Sequence, residues 1–398
     1  MGETKWFNKG HELDYIASIL KRNDNKIYLV GTEKEIRGFY DRIGRYLGDN
    51  NRIQGIVLTD NQGGKSSLNF PSISDNDIPQ DLHSIIICTS YDYSAYEVVR
   101  RLFENYGFKE NVQFFQGEVF AMIYEVYELK EIRLDRVEIF LTSYCSLKCE
   151  KCIAYIPYFK IREHISLDRL KKDADILFSK INYIDKYKVL GGDALCYPYL
   201  EDYIKYVSCN YRDKIGTFRI GTNGTIFPKE ELLEICRKHG VMFDISDYTK
   251  TIGNNSKLSE IYQLCLSNGI AVDIKRTGEQ WLDLGFPNNL PREKDEEHLK
   301  NHFKKCAMFC RNFNDGKLFY CCSNFAATQA GLFPLDSNDY FDFNSEFTKE
   351  ELLEYELGFS KLGHTTFCNV CRGCSDEINP YHVGVANQMC CKLSNMST

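Results

Sequence analysis

The chain has 398 residues, 43% of them hydrophobic and 26% charged, with a formal net charge of −7. Such a length predicts two or three domains with a sizeable core, and a near-average composition excludes fibrous and disordered classes. An acidic balance without a long basic run excludes a non-specific nucleic-acid or anionic-membrane surface, and no stretch approaches the roughly 18 apolar residues of a membrane span.

Taken in chain order, residues 1–128 alternate strand and helix signals. Continuous apolar runs at 26–32, 53–58, 84–90 and 112–115 read as buried strands, and apolar residues at helical spacing over 35–47 and 95–106 read as helices. This is the pattern of a parallel, Rossmann-like sheet. The turn from Gly31 to Glu35 has one glycine where a dinucleotide fingerprint has three, so it is a poor pyrophosphate cradle, and a docking or scaffold role stays open. The polar stretch 60–80 reads as a surface connection.

From residue 129 the pattern restarts. Strands are expected at 136–142, 187–190, 218–221, 242–245 and 270–274, with helices at 167–180, 200–207, 230–239 and 258–267. Repeated strand–helix units predict a parallel barrel or partial barrel over 129–300, with chemistry gathered at the carboxyl ends of its strands. Over 301–398 periodicity fades and cysteines become dense, which predicts a small third domain organised by metal.

The first ten residues lack the apolar core of a signal peptide, so the protein is expected in the cytoplasm. Disulfides are disfavoured there, and metal ligation is the leading explanation for 17 cysteines. Cys88, Cys209, Cys236 and Cys265 stand singly in apolar patterns and read as small buried hydrophobes. Cys145, Cys149 and Cys152 have C-x3-C-x2-C spacing directly after the first barrel strand. Three thiolates on one short loop can converge on one cluster, and on a four-iron cluster they leave one iron open. Gly191-Gly192-Asp193 ends the second strand and Thr222-Asn223-Gly224 follows the third. Adjacent glycines let a backbone approach a ligand closely.

With these motifs the chain resembles the radical S-adenosylmethionine superfamily, over roughly residues 136–375. The resemblance implies a partial (β/α)6 barrel with a 4Fe-4S cluster on Cys145, Cys149 and Cys152. Its open iron would take the amino and carboxylate groups of S-adenosylmethionine, whose one-electron cleavage gives a 5'-deoxyadenosyl radical that abstracts a substrate hydrogen. It further implies cofactor contacts from Gly191, Gly192, Asp193 and Asn223. Asp193 stands where glutamate is more usual. Lys151 stands where an aromatic residue often precedes the third cysteine, which moves the expected adenine contact to backbone or to Tyr155 and Tyr158.

The C-terminal cysteines resemble the SPASM or twitch domains that follow many such barrels: Cys306-x9-Gly316-x4-Cys321 with Cys310 between, then Cys368-x2-Cys371-x2-Cys374. The resemblance implies one auxiliary 4Fe-4S cluster, built from Cys306 or Cys310, Cys321 and two of Cys368, Cys371 and Cys374, with Cys306, Cys310, Cys321 and Cys374 the favoured set. The closing run is shorter than the one that accompanies a second cluster, and Cys390 and Cys391 read equally as contributing ligands or as unligated. A zinc ribbon is the competing use of paired thiolates.

The expected function is radical oxidation or epimerisation of a carbohydrate or sugar-nucleotide-like small molecule, served by a flavodoxin- or ferredoxin-type electron donor. A loose likeness of the N-terminal region to Rossmann-like domains on sugar-nucleotide-modifying enzymes favours that substrate class over a peptide maturase. A zinc-stabilised binding or scaffold protein is the alternative from another class. Tyr248, Cys196 and His302 have no spacing that assigns them a role, and His239 and His364 read as structural.

Overall fold

A computed structural model describes residues 5–48, 52–60, 68–81, 83–90, 92–110, 112–276, 278, 280–288, 295–307 and 310–389. The chain forms two compact units, one of Met1–Ile132 with Thr348–Leu357 and one of Arg133–Phe347 with Gly358–Thr398.

In the first unit, β1 (Lys26–Gly31), β2 (Ile53–Leu58), β3 (Ser84–Cys88) and β4 (Phe114–Gln116) form a parallel sheet in the order β2-β1-β3-β4. Ile27, Leu29, Ile56, Ile86 and Ile87 are wholly buried, which is why these strands read as unbroken apolar runs. The turn after β1 is closed by its own side chains. Thr32 Oγ1 accepts from Glu35 N (3.3 Å) and the Glu35 carboxylate accepts from Thr32 N (3.3 Å), so the donors that a phosphate would need are already taken at the helix Glu33–Phe39. The helix Lys349–Glu356 belongs to this unit, where the Glu354 carboxylate accepts from Trp6 Nε1 (2.8 Å), Gly10 N (2.6 Å) and Glu12 N (2.8 Å).

In the second unit, β5 (Arg133–Phe140), β6 (Tyr183–Leu190), β7 (Ile215–Thr222), β8 (Val241–Asp247) and β9 (Val272–Arg276) run parallel in chain order, joined through helices such as Leu167–Lys180 and Leu200–Tyr211. β10 (Gln280–Leu282) pairs separately with β14 (His382–Gly384). β11 (Asn312–Asn314) adds a sixth parallel strand on the other side of β5, with Asn312 opposite Glu138. β12 (Lys317–Phe319) and β13 (Tyr340–Asp342) extend that edge antiparallel. The sheet is open, with edges at β13 and β9. Residues 310–347 thus share the barrel's own sheet.

Between this sheet and its covering helices lies an aromatic and aliphatic core that includes Tyr187, Phe218, Phe243, Phe178 and Tyr203, all at most 1% exposed. Tyr187 meets Phe218 edge-on at 5.2 Å and shares a 2.6 Å hydrogen bond with Tyr203 Oη. Of the solitary cysteines, Cys88, Cys236 and Cys265 are buried as expected, whereas Cys209 is exposed. It falls off the Tyr203, Ile204, Val207 stripe by which the helix Leu200–Tyr211 packs. Among the described residues no helix is long and apolar enough to cross a membrane. Because Phe218 is fully buried on the central strand, we expect Phe218→Ala to lower unfolding free energy by about 3–5 kcal/mol, measured by urea denaturation.

Candidate active site at the strand ends

The cysteine loop leaves β5 through Leu141 and Thr142, both wholly buried. Thr142 Oγ1 turns the chain by accepting from Tyr144 N (3.1 Å). Each thiol of the triplet then meets N–H donors. Cys145 Sγ accepts from Leu147 N (3.4 Å), Cys149 Sγ accepts from Gln388 Nε2 (3.4 Å), and backbone N–H groups of Ile156, Ala154 and Tyr155 face Cys152. Burial pushes the Cys145 thiol up to about 12 and the Cys149 thiol up to about 11, and Cys152 rises for the same reason. Such thiols stay protonated until a metal displaces the protons, and the N–H donors around them suit sulfur that carries negative charge.

The glycine pair sets where this loop lies. Gly192 N donates to Thr142 O (2.7 Å) and Asp193 N to Tyr144 O (2.9 Å). A Cβ on Gly191 would stand 2.4 Å from Thr142 O, and one on Gly192 would stand 2.3 Å from Tyr144 O. Neither position can carry a side chain without moving the cysteine loop. Asp193 follows the glycine pair directly. It is 1% exposed, and its oxygens accept from Leu195 N (2.9 Å), Thr222 Oγ1 (2.9 Å) and Asn223 N (2.8 Å). The short acidic side chain is used up in tying the end of β6 to the end of β7. Asn223 is positioned by that tie, and its Nδ2 lies 3.4 Å from Cys145 Sγ and 3.0 Å from Ser146 Oγ.

The three thiols, the glycine pair and Asn223 line a single cavity of about 200 Å³. Leu147, Tyr248, Trp281 and Phe325 give it apolar walls. Two residues down the strands its floor is charged. Lys188 Nζ lies 2.9 Å from one oxygen of Asp244, whose other oxygen has no partner, and Glu138 and Asn312 complete the floor. Burial pushes the Glu138 carboxyl up to about 8, with the nearby Cys310 adding to the rise and Lys188 and Arg136 opposing it. Tyr155 and Tyr158 do not line this cavity. They border a small neighbouring pocket with Lys151, which pairs with Asp283 at 3.3 Å, so an adenine in the main cavity would meet Ile153 and Ala154 instead.

Cys306, Cys310, Cys321, Cys371 and Cys374 come together in one group with Leu284 and Cys322. Cys306 Sγ accepts from Cys374 N (3.4 Å), and Cys371 Sγ accepts from Gly373 N (3.2 Å). Cys322, which hydrogen-bonds Cys310, and Arg136, whose Nη1 is 3.6 Å from it, hold the Cys310 thiol below its ordinary value against burial. Cys368 packs on Leu299 and Phe303 beside Thr365 Oγ1 (3.3 Å), near Cys306 and Cys321. Cys390 and Cys391 lie outside the described residues. Among the described residues no three Cys, His, Asp or Glu side chains gather as they would around one metal ion.

Two features were not foreseen. Cys322 lines the main cavity while belonging to the C-terminal thiol group, so it stands in the wall between the two. Residues 385–389 strap the cysteine loop: Glu150 N donates to Asn387 O (2.7 Å), Met389 N to Lys148 O (2.8 Å), and Val385 and Ala386 bury against Leu147 and Cys149. Adjacency of Cys322 to Cys321 was the one available hint of the first, and nothing local hints at the second. Because three donors converge on Asp193, we expect Asp193→Ala to cost about 1–3 kcal/mol for each donor left buried and unpaired, read from the unfolding midpoint.

No protein-family model matches the chain, and no curated protein does. Among solved structures it is similar to BtrN in complex with AdoMet and 2-DOIA, at 14% identity over 64% of this chain and 100% of that one, with a TM-score of 0.41. It is similar to anSMEcpe with bound AdoMet at 15% identity over 61% of this chain and 89% of that one, with a TM-score of 0.36. It is also similar to Streptococcus suis SuiB bound to S-adenosylmethionine at 14% identity over 46% of this chain, spanning 40% of that one, with a TM-score of 0.29. All three are radical S-adenosylmethionine enzymes, the superfamily that the cysteine triplet and glycine pair resemble.

Proposed function

We propose that the chain is a radical S-adenosylmethionine enzyme that abstracts a hydrogen from a small, polar, carbohydrate-like substrate and oxidises or epimerises it. Cys145, Cys149 and Cys152 would hold the 4Fe-4S cluster, with Gly191, Gly192, Asp193 and Asn223 as the segments beside the cofactor. Four of Cys306, Cys310, Cys321, Cys371 and Cys374 would hold an auxiliary 4Fe-4S cluster. The observation that carries the reading is that the triplet thiols, the glycine pair and a charged floor line one cavity.

Bound there, the cluster and S-adenosylmethionine supply one-electron cleavage of a sulfur–carbon bond, the chemistry that abstracts hydrogen, with the electron coming from a flavodoxin- or ferredoxin-type donor. The chain's own residues do the rest. Leu147, Tyr248, Trp281 and Phe325 exclude water from the reacting centre. Lys188, Asp244, Glu138 and Asn312 offer donors and acceptors to hydroxyl or amino groups, and a ligand lacking them would leave buried polar atoms unpaired, which is a strong basis for selection. Cys322 places the second thiol group against the same cavity, so a cluster held by those thiols would supply an electron acceptor beside the substrate.

Anaerobic reconstitution with iron and sulfide is expected to give a brown protein that forms 5'-deoxyadenosine from S-adenosylmethionine with dithionite. Cys149→Ala is expected to abolish that product. A colourless protein with stoichiometric zinc and no sulfide would establish the scaffold alternative instead. Cys321→Ala is expected to keep cofactor cleavage and lose substrate turnover, and unchanged turnover would remove the auxiliary cluster from the reaction.

A further inference from the structure

Two hydroxyls buried beside the C-terminal thiols have no hydrogen-bond partner. Tyr155 Oη is one, on a residue only 3% exposed, and Ser323 Oγ is the other, on a residue fully buried. They stand close enough to each other for a weak contact, but it falls short of hydrogen-bond geometry and leaves both hydroxyls open to a better acceptor. Buried polar groups are nearly always paired, and an orphaned pair needs a reason.

Both sit against the same thiols. Tyr155 belongs to the packing group that Cys371 borders, and its hydroxyl feels Cys371 and Cys321 most among charged neighbours. Ser323 lies in the first turn of the helix Cys322–Gln329, whose N-cap is Cys321 and whose Asn324 N–H points to the Cys321 thiol. A helix start directed at a thiol, with two unsatisfied hydroxyls beside it, is an environment made for negative charge. Neutral thiols are weak acceptors, whereas the thiolates and sulfides of an iron-sulfur cluster are strong ones.

The backbone is held to this purpose. Tyr155 has φ of 52°, a left-handed conformation that non-glycine residues rarely take, and its N–H donates to Cys152 O at 3.0 Å. Phe286 meets its ring edge-on at 5.3 Å. The turn that leaves the triplet is thus bent so that Tyr155 goes to the other thiol group instead of the main cavity. A phenol carries its proton at neutral pH, so it is a donor there.

We propose that Tyr155 Oη and Ser323 Oγ are hydrogen-bond donors to the auxiliary cluster and set its reduction potential, an inference that rests on the auxiliary-cluster reading above. Donors to cluster sulfur stabilise the reduced, more negative state and raise the potential. Neither residue is offered as a ligand.

The test uses the full chain with Cys145→Ala, Cys149→Ala and Cys152→Ala combined, so that only the auxiliary site can load. After anaerobic reconstitution, iron and sulfide are quantified and the midpoint potential is read by redox titration followed by electron paramagnetic resonance. Adding Tyr155→Phe, and separately Ser323→Ala, is expected to keep the cluster and move the midpoint to more negative potential. A loaded cluster whose midpoint is unchanged in both variants would overturn the inference while leaving the auxiliary cluster intact. No iron in the parent triple variant would instead overturn the auxiliary-cluster reading, and the inference with it. Should Tyr155→Phe fail to fold, Ser323→Ala decides the matter by the same readout.

Discussion

Two peptide hydrogen bonds hold the site together: Gly192 N to Thr142 O and Asp193 N to Tyr144 O. They place the end of β6 against the loop that leaves β5, at a separation that any Cβ on Gly191 or Gly192 would break. Cys145 begins one residue beyond Tyr144, so its thiol is located by this contact before any metal is considered. Asp193 extends the same tie to β7, and through it Asn223 reaches Cys145. Three hydrogen bonds of 2.8–2.9 Å converge on the Asp193 carboxylate. The backbone of the glycine pair approaches the cavity, and the acid braces it from behind.

The cavity runs against the ordinary economy of a folded core. Its floor buries Glu138 and Asp244 beside a half-buried Lys188, and one oxygen of Asp244 is left without a partner. Buried ion pairs seldom add stability, and an unpaired carboxylate oxygen subtracts from it. An apolar floor would fold as well or better. The stability needed to tolerate the arrangement comes from the other face of the sheet, where Tyr187, Phe218 and Phe243 are wholly buried. Charge at the bottom of a cavity whose mouth carries three thiols is best understood as a means of selecting what enters.

Much of this was legible in the sequence, and the physical reasons for the remainder are specific. β5 to β9 are long, and the side of the sheet under the helices is apolar, so their residues announce themselves. The triplet and the glycine pair are local motifs and needed no tertiary information. β11, β12 and β13 have three residues each, too few to carry a period, and they exist because β11 can pair with β5 some 170 residues earlier. The direction of the Asp193 carboxylate was likewise beyond reach, since it depends on where β7 ends relative to β6. The helix Lys349–Glu356 looks in sequence like part of the cysteine-rich region, but its Glu354 meets donors near the N-terminus.

One short stretch of chain gives the two thiol groups a common mechanical frame. Between Cys145 and Tyr158 the backbone passes from the main cavity, past Cys152, into the packing group bordered by Cys371. The hinge is the left-handed residue Tyr155, and its N–H is fixed to Cys152 O. From the opposite side, the chain that supplies Cys321 goes straight into Cys322, which faces the main cavity. Each thiol group therefore sends one residue to the other's boundary, Tyr155 in one direction and Cys322 in the other. Protein interiors are close-packed and yield little, so a change of charge or bond length at one group is felt as displacement at the other. The turn at Tyr155 joins the surroundings of the two thiol groups directly.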